Sequence, residues 1–435
     1  MKMKFRLFMC TCLAVILSIG LIGCGGKAGG SGGQTDGKAS VDNSGNGGQS
    51  GAQEAKADLP EDLTIGVSVY NTEDAEVEAF RNYFQGYLGP AFDVKFLYSD
   101  SILEAEEEIN FIESLHEQGV TGIISFLSTD LEKVLPKCDE LGMVYMRGSG
   151  SISNEAFQKA SAHNSFLGII GPDVTLEQKA GYDMAGFFAE ESEGESLHYL
   201  ILSGGGCIGN EMHAERAAGM LKALADKYGL TYSRGASELA RSSVVQTLGE
   251  EGDSVRITLV PGYIRGNTLD RFNEVLEQND FDVTMGVLAL NTLMPELEAA
   301  EKRAGKNMRI GMVDSFTEQN YEWFHTKDNF GNPTIDYVTG KYSATVGPSF
   351  AAMYNACTGQ GDFLKVDGKP FRLVQNFWTA SDGQTFEKFY NRSINVYDNT
   401  YSTKDLRKVI RLYTPAATFE EFKELTERDN TLDFK

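Results

Sequence analysis

Residues 102–127, ILEAEEEINFIESLHEQGVTGIISFL, decide the fold. Apolar residues at helical spacing among glutamates predict a helix over 102–118, and Gly119 closes it. A short, largely apolar run, VTGIISFL, follows at 120–127 and reads as a strand. A helix that feeds straight into such a strand is half of a crossover unit. Working outward, 63–70 (LTIGVSVY) reads as a strand, 75–88 as a helix and 92–98 as a strand. Downstream, Asp130 stands at an N-cap position, 131–141 reads as a helix and 143–146 as a fourth strand. The order is βαβαβαβ. Such alternation requires parallel strands joined by right-handed helical crossovers, hence an open doubly wound sheet with a crevice at the carboxyl ends of its strands.

The pattern restarts after an irregular, Ser-, Gly- and Asn-rich stretch at 148–163. Strands are predicted at 167–170, 198–203, 255–260, 281–289 and 308–313, with helices at 175–191, 211–228, 269–278 and 295–304. A helix at 343–358 and a single strand at 373–379 follow. The expected fold class is α/β, two doubly wound lobes joined by a hinge with a ligand cleft between them. Residues 59–170 form the first lobe, completed by about 344–372, and 171–343 form the second. Residues 373–435 make a C-terminal extension whose place the pattern does not assign.

The start of the chain decides where this body works. Lys2, Lys4 and Arg6 precede an apolar run at 7–20, too short to span a bilayer comfortably, which reads as a secretion signal over 1–23. Its end, Leu21-Ile22-Gly23-Cys24, resembles the lipobox of bacterial lipoproteins. That resemblance implies a lipid on Cys24 and a body held at the outer face of the cytoplasmic membrane. Residues 24–58 have the Gly- and Ser-rich, aperiodic composition of a flexible tether. The formal charge of −23 grows more negative once the basic signal is removed, which argues against nucleic acid and anionic lipid surfaces as partners. Beyond the signal and Cys24, only Cys138, Cys207 and Cys357 remain. Three widely spaced cysteines give no disulfide framework, so buried thiols are expected, with one pair left open.

Two such lobes on an exported, tethered chain resemble the type I periplasmic binding proteins, in particular the ribose-binding-like branch that serves sugar ABC importers. Four short motifs carry the resemblance, in the family's order. Arg216-Ala217-Ala218-Gly219-Met220 looks like the family's Arg-x-x-Gly-aromatic helix start, and Tyr263-Ile264-Arg265 like its aromatic-x-Arg after the next strand. Asn291, followed by Thr292 where the family usually has Asp, ends the strand after that, and Asp314 resembles the Asp of the Gly-Phe-Asp turn. In the first lobe Tyr70-Asn71 and Arg147 end strands where the family places ligand groups. Asp173 and Lys341 fall near the two hinge crossings. The resemblance implies that Tyr70, Asn71, Arg147, Arg216, Tyr263, Arg265, Asn291, Asp314 and Lys341 contact a sugar. It also implies a monomer that delivers its cargo to ABC permease subunits, without cofactor, metal or catalysis.

The chemistry of these residue types agrees. Sugar hydroxyls both donate and accept, which suits guanidinium forks, amides and carboxylates, and the apolar ring face suits aromatics such as Tyr263, Tyr70 or Trp378. The same forks also pair with carboxylate, so an acidic sugar is an alternative, but Asp314 would repel an anion and a neutral sugar is favoured. A sensor that presents the closed form to a kinase or chemoreceptor would use the same clamp. Gly204–Gly209 (GGGCIG) satisfies the dinucleotide G-x-G-x-x-G after a strand and before a helix. No convincing acid-bearing second strand follows it, so a glycine-rich structural loop is expected instead. Cys207, Glu211 and His213 lack the second pair a metal site requires, and no Gly-x-Ser-x-Gly elbow occurs.

Overall fold

The computed structural model describes residues 62–127, 129–191, 196–263, 267–396 and 400–431, with the side chains of 191 and 267 excepted. The signal, Cys24, the tether and Arg265 lie outside the described residues. Lys56–Lys435 is one compact unit. Its first part runs β1 (Leu63–Val69), α1 (Ala75–Arg81), α2 (Gly89–Phe92), β2 (Val94–Ser101), α3 (Ala105–Glu117), β3 (Gly122–Ser125), α4 (Leu131–Leu141), β4 (Val144–Arg147), α5 (Asn154–Ala160) and β5 (Phe166–Gly171). The chain then crosses to a second lobe. There it forms α6 (Val174–Glu191), β6 (Leu197–Gly204), α7 (Glu211–Tyr228), α8 (Ala236–Ala240), β7 (Gln246–Leu248), β8 (Val255–Pro261) and α9 (Asn267–Gln278). That lobe continues through β9 (Val283–Gly286), α10 (Met294–Ala304), β10 (Arg309–Val313), α11 (Glu318–His325) and β11 (Tyr337–Gly340). The remainder is α12 (Gly347–Cys357), β12 (Phe371–Val374), β13 (Trp378–Ala380), α13 (Gly383–Ile394), α14 (Thr403–Val409) and α15 (Phe419–Glu427).

Two sheets result, ordered β12-β5-β4-β3-β1-β2 and β13-β11-β10-β9-β6-β8-β7. All pairs are parallel except β7 with β8 and β11 with β13. The opening stretch behaves as its pattern requires. The Gly119 N–H donates to the His116 carbonyl at 2.9 Å with φ +80°, a left-handed conformation that glycine adopts without penalty, and Asp130 caps α4 by accepting from the Glu132 N–H. In the strands that follow, alternate residues serve opposite faces of the sheet. Ile123 and Tyr145 pack with Ile112, Leu115 and Val134 on one side, while Ile124 and Met146 pack with Phe80, Phe84 and Phe350 on the other. Each such side chain, buried fully, contributes about 1.5–3 kcal/mol of hydrophobic stabilisation.

The stretch expected as a helix over 75–88 is helical throughout, α1 passing into a π-helical segment, Asn82–Leu88, with α2 after it. Two expectations are corrected. The stretch 148–163 is not wholly irregular, because Ser153 accepts from the Ala156 N–H and caps α5. The strand over 373–379 is two strands. Phe371 and Leu373 face the core from β12, which pairs with β5, whereas Trp378 and Ala380 face it from β13, which pairs with β11 in the other sheet. Gln375, Asn376 and Phe377 carry the chain between lobes. Crossings therefore occur after β5, after β11, after β12 and again after α13. α13 then packs beside α11 in the second lobe, and α14 and α15 pack on α12 in the first. Among the described residues no helix is long and apolar enough to cross a membrane.

Candidate functional site

Doubly wound sheets present their strand ends to a crevice, and the residues that follow β1, β9, β10 and β11 meet there. α1 contributes Glu76 from its first turn. Its Oε1 accepts from Lys341 Nζ at 3.0 Å, and its Oε2 accepts from the Ser315 hydroxyl. Glu76 stands on α1 of the first lobe, Ser315 follows β10 and Lys341 follows β11, so one carboxylate bridges the lobes at the second crossing. Burial works against its charge, but Lys341, Ser315 and Arg216 outweigh burial and hold the carboxyl below its ordinary range.

Arg216 lies on α7 and is buried. Its Nε donates to Glu177 Oε2 on α6 at 2.5 Å, and its Nη1 donates to the Val287 carbonyl beyond β9 at 2.8 Å. The guanidinium also sits 5.7 Å from the ring centroid of Phe377, in the third crossing. Two glycines place this pair. A Cβ on Gly181 would fall 1.9 Å from the Arg216 carbonyl oxygen, and one on Gly219 would fall 2.0 Å from that of Gln178, so α6 and α7 touch backbone to backbone. Glu177 is fully buried and its carboxyl is raised, by burial first, with Arg216 opposing.

Asp314 follows β10. Its Oδ2 accepts from Asn320 Nδ2 at 2.7 Å. Burial pushes its carboxyl up to about 7, Asn320 pulls the other way, and the nearby Asp74 and Glu76 add to the rise. Across the seam the Tyr70 hydroxyl donates to Asp74 Oδ1 at 3.0 Å, and burial with the charges of Glu76, Asp74 and Asp314 holds the phenol well above its usual range.

The sequence-predicted residues divide by position. Tyr70, Arg216, Asp314 and Lys341 come together around Glu76. Asn291 opens a short 3-10 turn after β9, and its Oδ1 is buried without a hydrogen-bond partner. Tyr263 follows β8, accepts at its hydroxyl from Asn210 Nδ2 at 2.8 Å and meets the His213 ring edge-on at 5.4 Å. Arg147 ends β4 buried, donating from Nη2 to the Thr129 carbonyl, with its Nε unpartnered. Asn71 is exposed and turns its Oδ1 to the Glu73 N–H. Asp173 accepts from the Leu176 N–H at the start of α6. Trp378 is buried and stacked on Tyr342, with centroids 3.7 Å apart. Asp74, Glu76, Glu177, Asn320 and Phe377 were not anticipated. The only signal for the carboxylates was their place just after a strand or a crossing.

The glycine-rich loop is filled by protein. Residues 205–208 form a 3-10 turn, the Gly205 N–H donates to His213 Nδ1 at 2.9 Å, and a Cβ on Gly205 would fall 2.6 Å from the Tyr263 ring. That donation fixes Nδ1 as an acceptor, and burial followed by Arg216 and Lys341 lowers the imidazole to about 3. Glu211 instead pairs with Arg241. Among the described residues no three His, Cys, Asp or Glu side chains are placed to hold a metal ion. Cys138 is buried, Cys207 and Cys357 are partly so, and all three are thiols.

No protein-family model matches this chain, and no curated protein matches its sequence. Solved structures do. A galactofuranose-binding protein superposes with a TM-score of 0.55 at 14% identity, over 77% of this chain and 99% of its own. An ABC transporter periplasmic solute-binding protein from Actinobacillus succinogenes with bound D-allose gives 0.55 at 12%, over 75% and 100%. The fold is that of the type I periplasmic binding proteins. A third such structure, an ABC transporter solute-binding protein from Bacillus halodurans with bound myo-inositol, gives 0.54 at 13%, over 76% and 98%. Near-complete coverage of each neighbour means that the whole two-lobe type I architecture is present here.

Proposed function

We propose that this chain is an extracytoplasmic solute-binding lipoprotein that captures a sugar between its lobes and delivers it to an ABC importer. The observation that carries this reading is the set of polar side chains meeting from both sheets, with Tyr70 and Glu76 on one side and Arg216, Asp314, Ser315 and Lys341 on the other. Amide, carboxylate and guanidinium groups beside aromatic rings suit a polyol with an apolar face. A ligand that touches both lobes favours the closed arrangement, because only there are all contacts made at once. Arg216, Tyr263, Arg265, Asn291 and Asp314 are proposed as its second-lobe contacts, and Tyr70 as a first-lobe one. Arg147, Asn71 and Lys341 stand around them, and Lys341 acts through Glu76. Neighbours of this fold are described as sugar-binding transport proteins, which favours binding over catalysis. Acylation at Cys24 would hold the body at the membrane face, where a permease could meet the closed form.

The test is a thermal-shift screen against mono- and disaccharides, polyols, sugar acids and nucleosides. A ligand at 100 times its Kd adds about 2.7 kcal/mol to apparent stability. A rise in Tm confined to one sugar or a close group is expected. No rise with any sugar, in a folded protein, would reject the reading.

A further inference from the structure

The chain's last return to the first lobe brings residues 400–430 against the crossings. They are anchored there by the π-helical segment, whose wide turn stacks Tyr83 and Tyr87 with centroids 5.6 Å apart. The Tyr83 hydroxyl donates to the Tyr401 carbonyl at 2.6 Å, and the Tyr87 hydroxyl accepts from the Thr403 N–H at 3.1 Å. From this anchor the segment reaches the crossings themselves. Asn430 Nδ2 donates to the Tyr342 hydroxyl in the second crossing. Where the third crossing begins, Glu427 Oε1 accepts from the Val374 N–H at 3.2 Å, and the Tyr401 hydroxyl accepts from Gln375 Nε2 at 3.1 Å.

A second observation is the ring packing. Tyr401 holds φ +59°, a left-handed conformation that a bulky side chain keeps where its surroundings fix it. Its ring lies parallel to that of Tyr342, at 6.4 Å and 5°, and Tyr342 is stacked in turn on Trp378 at 3.7 Å and 7°. Trp378 opens β13 and stacks on Phe389 of α13 at 4.9 Å. A column of buried rings thus runs from the C-terminal segment, through the second crossing, into the second-lobe core. Between Gln375, tied to the first lobe, and Trp378, seated in the second, Asn376 and Phe377 are left to bend. Rotation of one lobe on the other must slide Trp378 across Tyr342 or break the bonds at Gln375 and Asn430.

We infer that residues 400–430 form a hinge brace that limits how far the lobes open. The inference rests on the clamp reading above and adds what sets the clamp's travel. Hinges work by letting a few residues absorb the backbone change, and here those residues are flanked by stacked rings and hydrogen bonds. A braced clamp stays nearer its binding-competent arrangement, so less of a ligand's binding free energy goes into closing it.

The experiment is small-angle X-ray scattering on the full chain, without sugar, for the native protein, the double variant Glu427→Ala with Asn430→Ala, and Ile123→Val. The double variant loses the bonds to Val374 and Tyr342. Ile123→Val removes a methyl group from the first-lobe core and touches none of the brace. The radius of gyration should rise in the double variant and keep its native value in Ile123→Val. If circular dichroism shows the double variant unfolded, Tyr342→Phe takes its place. It loses the bond from Asn430 but keeps its ring in the column, and its radius should rise too. An unchanged radius in the folded variant, or an equal rise in Ile123→Val, would overturn the brace and make the segment packing alone. Neither outcome involves a sugar, so loss of the brace leaves the sugar reading standing, and a chain that binds no sugar can still show the brace.

Discussion

Arg216 looks in sequence like a ligand-facing arginine at a helix start, yet its guanidinium is buried and bound to the fully buried Glu177. Removing one member of such a pair strands the other charge, at a cost of about 3–5 kcal/mol. Arg216→Met should therefore lower unfolding stability by that amount in denaturant titrations, and Arg216→Met with Glu177→Gln should recover most of it. A loss under about 1 kcal/mol in the single variant would mean that the pair does not matter to the fold. Asp314 gives a prediction in pH. Its carboxyl titrates at about 7 in the folded chain against an ordinary 3.8, so between those values the folded state holds a proton that the unfolded state has released. Stability contributed by that proton falls as pH rises through the window. His213 slopes the other way, because its lowered imidazole resists protonation and stability is lost as pH falls below about 6.5. Asp314→Asn should raise Tm most at pH 8 and least near pH 4. Equal shifts at both pH values would show that Asp314 is ionised in the same range folded and unfolded. Asp314 drew attention because it directly follows a buried strand, whereas Asn291 lies beyond the end of β9 in a short 3-10 turn. Glu76 was not, since it lies among Glu73, Glu76 and Glu78 in a run that reads as a solvated helix face, and nothing local tells which carboxylate crosses to the other lobe.

Parallel strands declare themselves in sequence because burial on both faces gives largely apolar runs, as in 120–127 and 198–203. Short edge elements do not. β7, with Gln246, Thr247 and Leu248 none of them buried, carries no run to read. The break between β12 and β13 left a trace, since buried positions alternate as Phe371 and Leu373, then slip phase to Trp378 and Ala380. Two adjacent aromatics, Phe377 and Trp378, mark the slip and distinguish a crossing from one long strand. The contact of α6 with α7 gives a prediction for these elements. Gly219→Ala places a methyl against the Gln178 carbonyl, so the helices must part and carry Arg216 away from Glu177. It should destabilise the chain by about 1–3 kcal/mol despite alanine's better helix propensity. A neutral or stabilising result in thermal melts would show that the helices can separate freely.

For the molecule as a whole, the two-lobe plan followed from the repeated alternation, but how the chain's end is used did not. Residues after Ile394 knit the crossings together. The Tyr83 hydroxyl donates to the Tyr401 carbonyl at 2.6 Å, Gln375 Nε2 donates to the Tyr401 hydroxyl at 3.1 Å, and that hydroxyl donates to the Thr426 carbonyl at 2.7 Å. The first of these joins residues 318 positions apart and the other two join residues 26 and 25 apart, none of which periodicity encodes. The hinge and the bridge through Glu76, with the polar side chains gathered around it, argue for a clamp whose cargo lies between the lobes. Titration calorimetry with the best sugar from the thermal screen, on the native chain and on Asn291→Ala, tests that claim most directly. The account predicts measurable affinity for the native chain and a loss of at least tenfold in the variant at unchanged Tm. Undiminished affinity in the variant, or no heat from any sugar in the folded native chain, would contradict it.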